Sequence, residues 1–245
     1  MSHYRKRLLA TPVIAGAIAV TAAGTAMALS ITGTDGPDRI IGSRSVDTID
    51  ALAGPDRVFA LAGNDVVRLG DGADLARAGH GDDSVEGGEG LDRVAAGPGN
   101  DTLDLGEGSD RAHGGIGNDT IVAGVGDDRV IAGWGNDSVD AGPGFDRVRG
   151  RRGNDTISGG DGFDVLHAGR GTDSLSGGLG NDRLFAAGPR DGHVDTVAGD
   201  EGDDRIRVRD GTLDHVTCGP GIDRVRADQM DSVAADCETV RVAAR

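Results

Sequence analysis

"GGIGNDTIVAGVGDDRVIAGWGNDSVD", residues 114 to 140, is three nine-residue phrases laid end to end. Cut in nines from Gly33, the chain gives seventeen such units, ending at Phe185, with no insertion or deletion. The sixth slot is aspartate in every one: Asp38, Asp47, Asp56, Asp65, Asp74, Asp83, Asp92, Asp101, Asp110, Asp119, Asp128, Asp137, Asp146, Asp155, Asp164, Asp173 and Asp182. The fourth slot is glycine except at Ser45, and the eighth is Ile, Val or Leu except at Ala76 and Ala112. A fixed short period defines a repeat architecture ahead of any other structural reading.

Glycine in the fourth slot, often joined by another in the second, permits turns that a β-carbon resists. The three residues after the aspartate, such as Thr120-Ile121-Val122, suit a short strand whose middle side chain faces inward. A turn plus a strand buries nothing alone, so the units must stack into a solenoid. A second rhythm, of eighteen, sets how they stack. The fifth slot holds Asn64, Asp82, Asn100, Asn118, Asn136 and Asn154 in alternate units. The seventh holds Arg39, Arg57, Arg93, Arg111, Arg129, Arg147 and Arg183 in odd units, whereas even units carry mostly Ser or Thr. One coil is therefore two units, which predicts an all-β chain folded as a parallel β-roll rather than a three-sided β-helix.

Residues eighteen apart then sit one coil above another, at the interstrand spacing of about 4.8 Å. Each column of turns becomes a ladder of carboxylates that repel their neighbours by roughly 1 kcal/mol in water, and several-fold more at a protein-like dielectric. Summed along both columns, this exceeds ordinary domain stability, on the order of 5–15 kcal/mol. A positive ion between the rungs resolves the conflict. Carboxylate and carbonyl oxygens without repeated Cys or His suit calcium; magnesium holds its water too firmly for such a cage.

The phrase from Gly114 to Val122 resembles the haemolysin-type (RTX) calcium-binding nonapeptide, and the resemblance covers residues 33 to 185. It implies several Ca2+ ions held between successive same-side turns by backbone carbonyls and the sixth-slot carboxylates of Asp65, Asp74, Asp83, Asp92, Asp101, Asp110, Asp119, Asp128, Asp137, Asp146, Asp155, Asp164, Asp173 and Asp182. The earliest units depart from the pattern, with Leu52 and Leu61 replacing the second glycine and Pro37, Val46 and Pro55 in the fifth slot. The first slot is often alanine, as at Ala123, Ala132 and Ala141, which still offers its carbonyl.

Upstream, Arg5, Lys6 and Arg7 precede a mildly apolar run and Ala26-Met27-Ala28, the layout of a secretory signal peptide over residues 1–28. The run is too short and too mild for a convincing membrane span, so no membrane association is expected after cleavage. The leader holds three of the 25 basic residues and the only lysine, leaving 22 arginines against 41 acids. That balance argues against a nucleic-acid binder, which presents a basic footprint. Residues 29–185 form the repeat region. Residues 186–245 read as degenerate repeats and a C-terminal cap, with recognisable units around Asp204 and Asp223. Cys218 and Cys237, the only cysteines, are expected to form a disulfide that staples the cap of a secreted, extracellular protein.

No His-Glu-x-x-His or Gly-x-Ser-x-Gly pattern is present, and His80, His113, His167, His193 and His215 are scattered. The expectation is a non-catalytic calcium-binding protein folded by its ions. The alternative is adhesion, or a glycan- or polyanion-binding module using the arginine ladder Arg93, Arg111, Arg129 and Arg147. A plainer reading has those arginines neutralising nearby carboxylates. The Ser/Thr column is interrupted two slots along by Glu86, Asp104 and Asp140, which spoils the flat regular array an ice-binding face requires.

Overall fold

The computed structural model describes residues 18–19, 28–186 and 192–243. Most of the expected leader lies outside them; the backbone of Ile18–Ala19 pairs with Ile40–Ile41. The described strands form two parallel sheets of thirteen and twelve strands, and the chain alternates between them at every step. Register confirms the coil length: Arg111 lies beside Arg129 in one sheet, and Thr102 beside Thr120 in the other. Two nine-residue units make one coil of a parallel β-roll.

A strand starts at the seventh slot and often runs through the third slot of the next unit, as in Arg111–Ile116. Its first four side chains alternate outward and inward, so the eighth and first slots meet in the interior. The core is one thin cluster, with Leu103, Ile121, Val139 and Ile157 from one sheet and Val94, Val130, Val148 and Leu166 from the other. First-slot alanines such as Ala123 and Ala132 complete it. Small aliphatic side chains fit because the sheets are joined by turns of only a few residues.

From the third unit on, the second slot takes a left-handed backbone. Leu52 (φ 77°), Leu61 (φ 88°) and Arg151 (φ 90°) occupy it with side chains, as Asp200 (φ 68°) does in the tail. Each such residue costs on the order of 1–3 kcal/mol, which the stacked coils must offset.

The roll continues through most of the region expected to be degenerate. Arg183 pairs with Arg205 across a 22-residue coil, and Arg205 with Arg224 across a 19-residue one. Extra residues loop out without shifting the register, since the strands still find their slots. The last pairs involve Ser232–Val233 and Thr239–Val242, the latter largely exposed. Cys218 is bonded to Cys237, with their Cα atoms 5.2 Å apart. Closing a loop of this length contributes about 3 kcal/mol in the chain-entropy model. The staple ties the final segment to a buried position of the coil beneath it.

Candidate metal centre

The fold turns the sixth-slot carboxylates inward. Every one of the fourteen aspartates from Asp65 to Asp182 singled out above is at most 2% exposed. The two carboxylate oxygens differ. Oδ1 accepts the backbone N–H of the aspartate one coil earlier: Asp101 donates to Asp119 at 3.0 Å, Asp119 to Asp137 at 2.9 Å and Asp137 to Asp155 at 3.0 Å. The same ladder runs down the other column, from Asp92 to Asp110 (2.8 Å) and Asp110 to Asp128 (2.7 Å). Oδ2 of Asp65, Asp74, Asp83, Asp92, Asp101, Asp110, Asp119, Asp128, Asp137, Asp146, Asp155, Asp164 and Asp182 is buried without a hydrogen-bond partner. A lone orphan of this kind costs on the order of 1–3 kcal/mol. A whole column of them marks a place for a cation.

Carbonyl oxygens crowd the same space. A β-carbon placed on Gly42 would sit 2.6 Å from Asp47 Oδ2 and 2.7 Å from the Ala60 carbonyl oxygen, one coil on. On Gly199 it would sit 2.5 Å from Asp204 Oδ2 and 2.6 Å from the Cys218 carbonyl oxygen. At the fourth slot, a β-carbon on Gly144 would touch the Gly126 carbonyl oxygen and lie 3.1 Å from Asp146 Oδ1. Each turn thus gathers carboxylate and carbonyl oxygens from consecutive coils, a hard donor set that fits calcium.

Electrostatics agree. Burial pushes Asp83, Asp92, Asp119, Asp128, Asp146 and Asp155 up to about 7, against the hydrogen bond each receives from a backbone N–H. Around Asp119 the charges of Asp137 and Asp101 raise it further. Asp65 and Asp164 rise to about 6, while Asp74, Asp101, Asp110, Asp137 and Asp182 also move upward, burial leading in each case. These groups resist ionisation in the metal-free roll.

Two buried aspartates of the same ladders escaped the sequence reading. Asp195 and Asp214 join the ladder, Asp173 donating to Asp195 at 2.9 Å and Asp195 to Asp214 at 2.9 Å. Their signal was the local triplet Asp-x-Val, as in Asp195-Thr196-Val197 and Asp214-His215-Val216, hidden by the broken period. Asp38, Asp47 and Asp56 are buried in the same columns. In the first two turns, however, Thr34 and Ser43 occupy the second slot and donate N–H and hydroxyl to Asp38 and Asp47. The fifth-slot asparagines form a second, exposed ladder of opposite sense: Asn118 N–H donates to Asn100 Oδ1 at 2.8 Å, and Asn136 N–H to Asn118 Oδ1 at 2.7 Å.

Among the described residues Arg93, Arg111, Arg129 and Arg147 form none of the ion pairs that the plainer reading expected. Among the described residues the ion pair present is Arg68 with Glu86, at 3.3 Å, on the opposite sheet from Arg93, Arg111, Arg129 and Arg147. Those four point outward, away from the buried aspartates.

A two-sheet parallel solenoid with columns of inward carboxylate and carbonyl oxygens is a calcium-binding β-roll. The chain belongs to the RTX calcium-binding nonapeptide repeat family, whose model matches residues 30–58, 41–76, 77–112, 113–148, 149–184 and 191–212. Among solved structures it is similar to a hyperactive, Ca2+-dependent, β-helical antifreeze protein from an Antarctic bacterium. That likeness is 20% identity over 87% of this chain and 83% of that one, with a TM-score of 0.46. No curated protein is matched.

One substitution separates the two carboxylate oxygens. Asp119→Asn keeps an acceptor for the Asp101 N–H but removes the charge. It is expected to raise the calcium concentration at half-folding at least about tenfold, while making the chain easier to fold in chelator at pH 8. Circular dichroism reads the first in a calcium titration and the second in chelator with added sucrose; an unchanged calcium midpoint would remove Asp119 from the ligand set.

Proposed function

We propose that this chain is an exported, non-catalytic protein whose β-roll is folded by calcium, with the sixth-slot aspartates from Asp65 to Asp182 supplying the ligand carboxylates. The observation that carries the reading is the repeated buried Oδ2 without a partner. When bound, calcium supplies the positive charge between rungs. The chain's own part is to hold each Oδ1 by a backbone N–H, so that Oδ2 and the neighbouring carbonyls face the same space. The unfolded chain has no such cage, so binding energy becomes folding energy.

Export is supported by the leader-like N-terminus and by the Cys218–Cys237 disulfide, which suits an oxidising compartment. In the low-calcium cytoplasm the acidic chain would stay extended, and outside it would condense. The test is far-ultraviolet circular dichroism of residues 29–245 during a calcium titration, with magnesium as control. A cooperative coil-to-β transition with calcium alone is expected. A spectrum already β-rich in chelator and unmoved by calcium would overturn the reading.

A further inference from the structure

The two faces of the roll have opposite charge. From Arg39–Ile41 to Thr239–Val242, the strands of the thirteen-stranded sheet carry seventeen arginines and no aspartate or glutamate. The strands of the other sheet carry ten acids and one arginine, Arg68. Among the described residues no ion pair involves an arginine of the basic face. The net charge of −16 conceals this segregation because so many aspartates are buried in the turns.

The basic face deepens near its C-terminal end into a groove of about 440 Å³. Six arginines line it in two columns. Arg183, Arg205 and Arg224 pair strand to strand, as do Arg207, Arg226 and, on the last strand, Arg241. All six are exposed, and their backbones step at the coil spacing of about 4.8 Å. A row of like charges at that pitch calls for a partner with an anion at each step. The residue type narrows the partner further, since the planar guanidinium grips carboxylate or sulfate through two parallel hydrogen bonds, which a lysine does not. Single-stranded nucleic acid fits less well, because its bases need free aromatic rings. The one aromatic lining the groove, Phe185, is half-buried and already stacked on His167, with ring centroids 4.4 Å apart.

We propose that this groove binds a linear acidic polysaccharide, placing one carboxylate or sulfate against each coil. A pyranose repeat advances by nearly the rise of one coil, so successive sugars meet successive arginine pairs. The proposal needs a folded roll but not calcium-driven folding, so failure of the calcium titration would leave it standing.

The full chain in excess calcium is titrated with heparin, which carries an anion on each sugar, with dextran sulfate, with neutral dextran and with poly-dT. Heparin or dextran sulfate is expected to bind with an affinity that falls steeply with salt, and neutral dextran not to bind. The variant R205Q/R207Q/R224Q/R226Q, its fold checked by circular dichroism, is expected to lose at least about tenfold in affinity. The matching lysine variant is expected to fall in between. Unchanged affinity in the glutamine variant would overturn the proposal, as would tighter binding of poly-dT than of either acidic polymer. If neither polymer binds and the variant instead abolishes self-association of the wild type, the groove takes the acidic face of a second copy, and the proposal is wrong. Should the glutamine variant misfold, salt-insensitive binding by the wild type overturns the proposal, and steep loss with salt supports it.

Discussion

Alanine at Gly117 is expected to destabilise the calcium-loaded roll by on the order of 4 kcal/mol, a large part of the 5–15 kcal/mol typical of a domain. Gly117 is the fourth-slot residue of its turn and has φ +129°. Forcing a side chain into that region costs about 1–3 kcal/mol. The added β-carbon would touch the Gly99 carbonyl oxygen and lie 2.6 Å from its carbon, one coil earlier. That neighbour is backbone and cannot rotate aside, so the coils must separate, adding an overpacking cost of about 1–3 kcal/mol. Because each coil touches only its neighbours, the gap divides the ladder, and Asp119 lies two residues beyond it. Gly36→Ala supplies the comparison. It changes the same slot in the first turn, where the nearest atom to an added β-carbon is Thr34 Oγ1 at 4.0 Å. That change is expected to stay within about 0.5 kcal/mol. Thermal unfolding in saturating calcium measures both; a near-wild-type Gly117→Ala would contradict turn-on-turn stacking.

Without calcium, the roll is expected to gain stability as pH falls from 8 to 5, the reverse of ordinary acid denaturation. The folded-state pKa of Asp119 is about 7, raised by burial from an ordinary value of 3.8. Asp83, Asp92, Asp128, Asp146, Asp155 and Asp204 share that value. Between about pH 4 and pH 7 the folded chain therefore binds more protons than the unfolded one, so stability declines as pH rises through this window. Above it the ladders are ionised and the full repulsion acts. Calcium inverts the dependence, because protons then compete with the ion for the same carboxylates. The sucrose concentration that folds the chain in chelator at pH 5 and at pH 8 tests the first sign, and calcium midpoints at pH 6 and pH 8 the second. Equal sucrose midpoints would mean that the aspartates are solvated, not buried.

The period of nine and the alternation of eighteen determined the parallel roll, its two sheets, the inward eighth slot and the seventeen aspartate positions. They could do so because a solenoid writes its contacts into neighbouring repeats, leaving little to distant pairing. The Cys218–Cys237 pairing was legible for the simpler reason that no other cysteine exists. Where the period breaks, legibility ended: Asp195 and Asp214 take their places only because strands realign across 22- and 19-residue coils. Tertiary structure alone decided which way each carboxylate faces. A sixth-slot aspartate has the same local sequence whether it points to solvent or to the core; the N–H one coil earlier claims Oδ1 and leaves Oδ2 buried. It also decided where the arginines stand. Sequence places Arg111 next to Asp110, but strand geometry sends successive side chains to opposite sides, burying the aspartate in the turn and leaving the guanidinium on an outer face that holds no acid.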